Sequence, residues 1–204
     1  PMNLNLAGLW QFISKPKWAI NYVIHEKFSL PQLDEHIDFS GSASSIGNYL
    51  TNMLDQSMNW DDVAEMVEYW GGQFCLKGVM CADDAVKAAD IGCTGIGGSN
   101  HGGRQLDGSR SSFDHLTEIV DAVGNRIDVL FDSGVQRGTH VLKALAIGAK
   151  AVGLGRGYLY PLAAAGRPGV ERALGLMQAE IERDMKLMGV TSLDQLTRDH
   201  LRFR

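Results

Sequence analysis

The chain has 204 residues, 45% of them hydrophobic, with 19 Lys and Arg against 24 Asp and Glu for a net charge of −5. That length and apolar content support one sizeable core and exclude a disordered chain. The acidic balance argues against a nucleic-acid binder, which carries a basic face, and no apolar run reaches the roughly 18 residues that would span a bilayer. The cysteines, Cys75, Cys81 and Cys93, are odd in number and lack CxxC or Cys/His metal spacing. They read as reduced thiols of a cytoplasmic protein without a metal site.

Taken in chain order, the first feature is a crowd of Trp10, Phe12, Ile13, Trp18, Ile20, Tyr22, Val23 and Ile24 interleaved with Lys15, Lys17 and Lys27. The plainer reading is an amphipathic helix packed on a core. The alternative is an interfacial anchor, peripheral at the inner face of a membrane. Ser40 to Ser45 is small and polar, hence a flexible loop. Asn59 is placed to cap a helix from Trp60 to Trp70, with Asp61 and Asp62 in its first turn and Gly71-Gly72 as its stop.

Phe74 to Val79 then reads as a short buried strand, and Ala82 to Ile91 as a helix stopped at Gly92. The pattern repeats: strand Thr94 to Ser99, helix Ser112 to Val123, strand Ile127 to Asp132, helix Arg137 to Ile147, strand Ala149 to Leu154. Two further helices are expected, Val170 to Met188 and Ser192 to about Leu201. Strands alternating with helices of about three turns imply parallel pairing. Only four β/α units are found, whereas a closed (β/α)8 barrel needs eight strands and about 250 residues. The chain is therefore an open four-stranded sheet or part of a barrel.

Chemistry concentrates in the turns after these strands. Ser99-Asn100-His101-Gly102-Gly103-Arg104 sets an imidazole and a guanidinium three positions apart in a Gly-Gly turn. Histidine takes a proton near neutral pH, and arginine grips a carboxylate with two parallel hydrogen bonds. A base beside a carboxylate clamp suits removal of hydrogen from the carbon next to a carboxyl group. Lys77 lies in an otherwise apolar strand, where a cation is costly unless an anion meets it. Asp132-Ser133-Gly134-Val135-Gln136-Arg137-Gly138 and Gly155-Arg156-Gly157 follow the next strands, and such loops offer free N–H groups to an anion. Barrels commonly bind phosphate after their seventh and eighth strands, beside a short extra helix; Tyr158 to Ala165 would be that helix. Gly95, Gly97 and Gly98 do not form a separated dinucleotide fingerprint. His25, His36, His115, His140 and His200 have no comparable setting and read as surface or structural residues.

Leu76-Lys77-Gly78, Ser99 through Asp107, Asp132-Ser133-Gly134 with Arg137-Gly138, and Leu154-Gly155-Arg156 occur in this order in the FMN-dependent α-hydroxy-acid dehydrogenases. The chain resembles that family from about Trp10 to its end, and within it looks most like the bacterial L-lactate branch. The resemblance implies an α/β fold, a (β/α)8 TIM barrel of which these are the last four units, strands five to eight. Residues 1–58 would follow the fourth strand and residues 59–204 would form the carboxyl-terminal half of the barrel. Lys77 would face the flavin N1/O2 edge, His101 would be the base, and Arg104 would hold the substrate carboxylate. Asp132, Ser133, Gly134, Val135, Gln136, Gly155 and Arg156 would bind the FMN ribityl phosphate arm. The implied substrate is a small L-2-hydroxy acid, L-lactate first, with mandelate and glycolate as alternatives. Electrons would pass through FMN to a quinone, a cytochrome or oxygen, in a homo-oligomer. The hydrogen could leave as a proton or as a hydride.

The sequence departs from the family at Gln136, where arginine is usual, and at Gly97 and Gly98, where bulky aliphatics are usual. The family's first four strands, with an aspartate that orients the histidine, have no counterpart in these residues. This chain is thus expected to be a piece of a longer enzyme, its partner the missing amino-terminal half-barrel. The competing expectations are a non-catalytic half-barrel unable to hold flavin, and a different phosphate-binding barrel enzyme.

Overall fold

In the computed structural model, which describes residues 6–24 and 52–203, the chain divides into two units, Pro1–Met58 and Asn59–Arg204. The first carries helices α1 (Leu6–Ser14) and α2 (Pro16–Ile24). Phe12 meets Trp18 and Tyr22 edge-on at 5.1 and 5.7 Å, and Trp18 stacks on Tyr22 at 5.4 Å. The segment expected as one helix is two short ones, and none of α2 is buried among the described residues. The Ser40–Ser45 loop, His25, His36 and Lys27 lie outside the described residues.

The second unit starts where its capping residues dictate. Asn59 accepts from Asp61 N at 2.8 Å while its own N–H donates to the Asp62 carboxylate at 2.7 Å. That reciprocal cap satisfies orphan donors and starts α3 (Trp60–Trp70). Then follow β1 (Cys75–Lys77), α4 (Ala82–Asp90), β2 (Gly95–Gly98), α5 (Ser112–Val123), β3 (Asp128–Phe131), α6 (Gly138–Ile147) and β4 (Ala151–Val152). Helix α7 runs from Arg156 to Met188 but breaks at Gly166, whose φ of 63° and ψ of −148° are not helical. With Pro168 two residues on, that break separates the Tyr158–Ala165 segment from the longer helix behind it.

The four strands pair in parallel in the order β1-β2-β3-β4. Leu76, Ile96 and Val129 are in register, as are Lys77, Gly97, Leu130 and Ala151. Because side chains alternate along a strand, the first row points to the helices and the second to the opposite face. The helix-side core holds Ile96, Leu116, Ile119, Val123 and Val129, all fully buried, each contributing about 1.5–3 kcal/mol. Phe113 closes it edge-on against Phe131 at 5.8 Å. On the other face Cys75, Lys77, Asp128 and Ala151 are exposed. Parallel sheets are normally covered on both faces; here one is bare among the described residues.

Two expectations are corrected. The strand expected to be buried over Phe74 to Val79 is only Cys75–Lys77, and both end residues are exposed. It is the edge of the sheet and one of its faces is uncovered. The helix expected over Ser192 to Leu201 is instead two 3₁₀ turns, Leu193–Gln195 and Arg198–His200. Ser192 with Gln195 and Thr197 with His200 each close a capping box, and extended Leu196 (φ −72°, ψ 123°) lies between them. Local side-chain bonds thus replace the helical ladder. Leu196 packs with Leu142, Ala146 and Val190 in a small second cluster.

Helices α6 and α7 meet at Gly138, whose N–H donates to Glu180 at 2.8 Å while Arg137 holds the same carboxylate at 2.7 Å. A Cβ on Gly138 would sit 2.7 Å from Glu180 Cβ and 2.8 Å from Ile181 N. Gly138→Ala is therefore expected to lose about 1–3 kcal/mol through overpacking, read as a lower urea midpoint. Gly175→Ala, which would meet nothing within 4 Å, should instead gain about 0.5–1 kcal/mol from helix propensity.

Candidate functional site

Parallel pairing brings the carboxyl ends of all four strands to one end of the sheet, where α/β folds place their chemistry. Lys77 ends β1, Ser99 follows β2, Asp132 follows β3 and Gly155 closes the turn after β4. Lys77 Nζ stands 3.1 Å from Asp132 Oδ2 and donates to Ser99 Oγ at 3.0 Å. Asp132 Oδ1 accepts from Ser99 Oγ at 2.5 Å and from Ser133 Oγ at 2.7 Å. The Lys77 cation is thus met by an anion, but its side chain is 61% exposed rather than buried. Burial pushes the Asp132 carboxyl up, and the hydrogen bonds from Ser99, Ser133 and Lys77, with the Lys77 charge, outweigh it. The net effect holds Asp132 below the ordinary carboxylate range.

The His101 turn is fastened to this cluster by its backbone. His101 N donates to Ser99 Oγ at 3.2 Å, Gly102 N to Ser133 Oγ at 3.0 Å, and Arg156 Nη2 to Gly102 O at 2.5 Å. Asn100 steadies the entry: its N–H donates to Ser112 Oγ at 2.8 Å, and its side chain accepts from Gly103 N at 3.2 Å. His101 and Ser133 are both in the left-handed region, with φ of 56° and 86°. For residues other than glycine that conformation costs on the order of 1–3 kcal/mol each. Gly102 also has positive φ, and a Cβ there would run into the Arg156 guanidinium.

The structure brings the backbone of the turn into the cluster, but not the side chains of His101 and Arg104. The His101 ring and the Arg104 guanidinium are exposed and have no hydrogen-bond or ion-pair partner among the described residues. The anion-binding loops are partly as expected. The N–H groups of Gly134, Val135, Gly155 and Arg156 have no backbone or side-chain acceptor among the described residues. Hypothetical Cβ atoms on Gly134 and Gly155 meet nothing within 4 Å, so these two glycines are not crowded by neighbours. Val135 offers only its backbone, since its side chain is in the core. Gln136 gives its N–H to His140 Nδ1 at 3.3 Å. The oxygens of Asp132 are acceptors engaged by Lys77, Ser99 and Ser133, which suits holding those groups rather than a phosphate. Among the described residues no cluster of three or more His, Cys, Asp or Glu could hold a metal.

Sequence reasoning passed over Ser99 as a site residue. At 4% exposure it is one of two buried polar residues among those described. A hydroxyl closing an otherwise apolar buried strand needs partners, and with its place at the head of the His101 turn that is its signal in the sequence.

Comparison with known proteins places this geometry. The profile of the FMN-dependent dehydrogenase family matches residues 1–203. An L-lactate dehydrogenase of Caulobacter sp. (strain K31) is 42% identical over 98% of this chain and 53% of its own length. One from Alcaligenes faecalis is 39% identical over 98% of the chain and 53% of its own length. The chain therefore spans about half the length of the curated relatives it matches. Among solved structures, the monotopic membrane protein (S)-mandelate dehydrogenase superposes with a TM-score of 0.90 at 33% identity, over all of this chain and 54% of that one. A mutant flavocytochrome b2 with pyruvate bound gives 0.68 at 44% identity, over 72% of this chain and 38% of that one.

A carboxyl held low in the folded state stabilises the fold above its ordinary pKa, and that contribution is lost as pH falls through the lowered value. Asp132→Asn is expected to cost about 1–3 kcal/mol near pH 7, because it removes the charge and sets an NH2 donor where Lys77 Nζ meets Oδ2. The gap between variant and parent should shrink as pH falls below about 3.9, as urea titrations at several pH values would show.

Proposed function

Because this chain belongs to the FMN-dependent dehydrogenase family, we propose that it forms the catalytic half of a (β/α)8 barrel that oxidises an L-2-hydroxy acid to the 2-oxo acid. L-lactate is the first-choice substrate, given the L-lactate dehydrogenases among its relatives. The four strands are then the fifth to eighth of the barrel, and the other four come from residues that complete the relatives' length. The observation that carries the reading is the convergence of Lys77, the His101 turn and two anion-ready loops at one end of a parallel sheet.

These residues fit FMN. The open donors of Gly134, Val135, Gly155 and Arg156 match a phosphate, and the exposed Lys77 ammonium is placed to meet a negative flavin edge. When bound, FMN would supply the acceptor for the electron pair and the second proton, with a quinone, a cytochrome or oxygen as the final acceptor. Arg104 grips the substrate carboxylate through paired N–H bonds. Gly102 and Gly103 let the substrate approach the turn, and a ring nitrogen of His101 receives one of the two protons the substrate gives up. The free His101 ring accords with an orienting carboxylate supplied from outside the described residues.

A non-catalytic half-barrel is the second reading, favoured by the bare sheet face and the exposed β1 edge. FMN titration of the purified chain separates the two. Quenching of FMN fluorescence, then bleaching of the bound flavin by L-lactate without oxygen, supports the enzyme; no flavin binding at saturation supports the half-barrel. His101→Gln should keep flavin bound and abolish bleaching. Arg104→Lys should raise KM roughly 10- to 100-fold, because one ammonium cannot replace a paired clamp worth about 1.5–3 kcal/mol.

The first unit adds a location to the proposal. Trp10, Ile13, Val23 and Ile24 are 69, 63, 79 and 70% exposed beside Lys15 and Lys17, a combination suited to a membrane interface. No described helix is long and apolar enough to cross a membrane, so the contact would be peripheral. The chain should co-sediment with anionic phospholipid vesicles, and Trp10→Ser with Ile13→Ser should release it. Equal sedimentation of both proteins would refute the contact.

A further inference from the structure

Two serines stand between the Asp132 carboxylate and the candidate base. The carboxylate can only accept, so each hydroxyl spends its single hydrogen on Asp132 Oδ1. The lone pairs of the two hydroxyls are then left to receive N–H groups. Ser99 Oγ takes the N–H of His101, and Ser133 Oγ takes the N–H of Gly102. Those two N–H groups belong to the peptide planes on either side of the His101 Cα. Fixing both planes fixes the direction of the Cα–Cβ bond and hence the place from which the imidazole starts.

We propose that Ser99 and Ser133 are positioning residues whose hydroxyls transmit the place of the Asp132 carboxylate to the backbone around His101. The functional meaning of this rests on the reading of His101 as the base. The directions of the bonds are forced: amide to hydroxyl to carboxylate, in both branches. The conformation they hold needs holding, since His101 has a φ of 56° that a non-glycine residue rarely adopts. Ser99 is only 4% exposed and has little water to turn to in place of its partners. Ser133 Oγ lies 3.5 Å from Ser99 Oγ, so the two branches run side by side to one oxygen. Arg156 holds Gly102 from its other side through the carbonyl, which joins the phosphate-ready loop to the same turn. Neither hydroxyl need touch substrate to matter, because displacing a reacting group by about 1 Å can cost on the order of 100-fold in rate.

Amide hydrogen exchange on the whole chain, followed by NMR, tests this without flavin or turnover. Ser133→Ala should speed exchange at Gly102 N–H about 10-fold or more while Ile96 in β2 keeps its rate. Ser99→Ala should do the same at His101 N–H, and Asp132→Ala, which removes the shared acceptor, should speed both. Should Ser99→Ala fail to fold, Ser133→Ala at its half-exposed site decides the matter alone. Unchanged exchange at Gly102 in Ser133→Ala overturns the proposal. So does equal acceleration across β2, which would make the hydroxyl a prop of the sheet. In flavin-loaded enzyme, Ser99→Ala should lower kcat about 10- to 100-fold with KM for the hydroxy acid unchanged. A chain that binds no flavin refutes the function proposed above, and the exchange result still judges the serines.

Discussion

The Asp132 carboxylate is the charge around which this end of the sheet is arranged. It lies after β3, takes two hydroxyl hydrogens on one oxygen and faces the Lys77 ammonium with the other. A carboxylate taken partly out of water is costly unless hydrogen bonds replace its hydration, and here Ser99, Ser133 and Lys77 supply them. The same bonds draw together three separate strand ends, so charge satisfaction and site assembly are one event. The strained φ values of His101 and Ser133 are held by this arrangement. Strain of that kind persists only where surrounding bonds over-determine the backbone.

Around that point the site has two parts with different physics. One is a crowded polar cluster in which every oxygen has a donor. The other is open: free N–H groups at Gly134, Val135, Gly155 and Arg156, an exposed imidazole and an exposed guanidinium. An unpaired donor is what an anionic ligand needs, and a preorganised donor need not reorient when charge arrives. Arg156 spans both parts, with its backbone N–H in the open loop and its guanidinium on the Gly102 carbonyl.

The bare sheet face belongs to the same account. Helices cover Leu76, Ile96 and Val129, while the row of Lys77, Gly97, Leu130 and Ala151 faces the other way. In the barrel proposed above, the interior is filled by side chains from all eight strands, of which these four would supply half. Relatives about twice as long as this chain accord with that division. A Cβ on Gly97 would lie 3.4 Å from Lys77 Cγ, in contact with the Lys77 stem.

Sequence alone determined what depends on near neighbours. The Asn59 cap, the helix from Ser112 to Val123 and the Gly-Gly turn at His101 were legible because each signal and its effect lie within a few residues. Resemblance named the chemistry through a contiguous run of residues from Ser99 to Asp107. Even so, local reading failed at Ser192 to Leu201, where capping side chains broke an expected helix into two turns. What joins distant segments was decided only by the tertiary structure. Lys77, Ser99 and Asp132 are 22 and 33 positions apart, and nothing in their local patterns says that they share hydrogen bonds. The exposure of Lys77 likewise followed from β1 being an edge strand. Parallel pairing sets strand ends side by side whatever their separation in the chain, and so it decided which residues form the site.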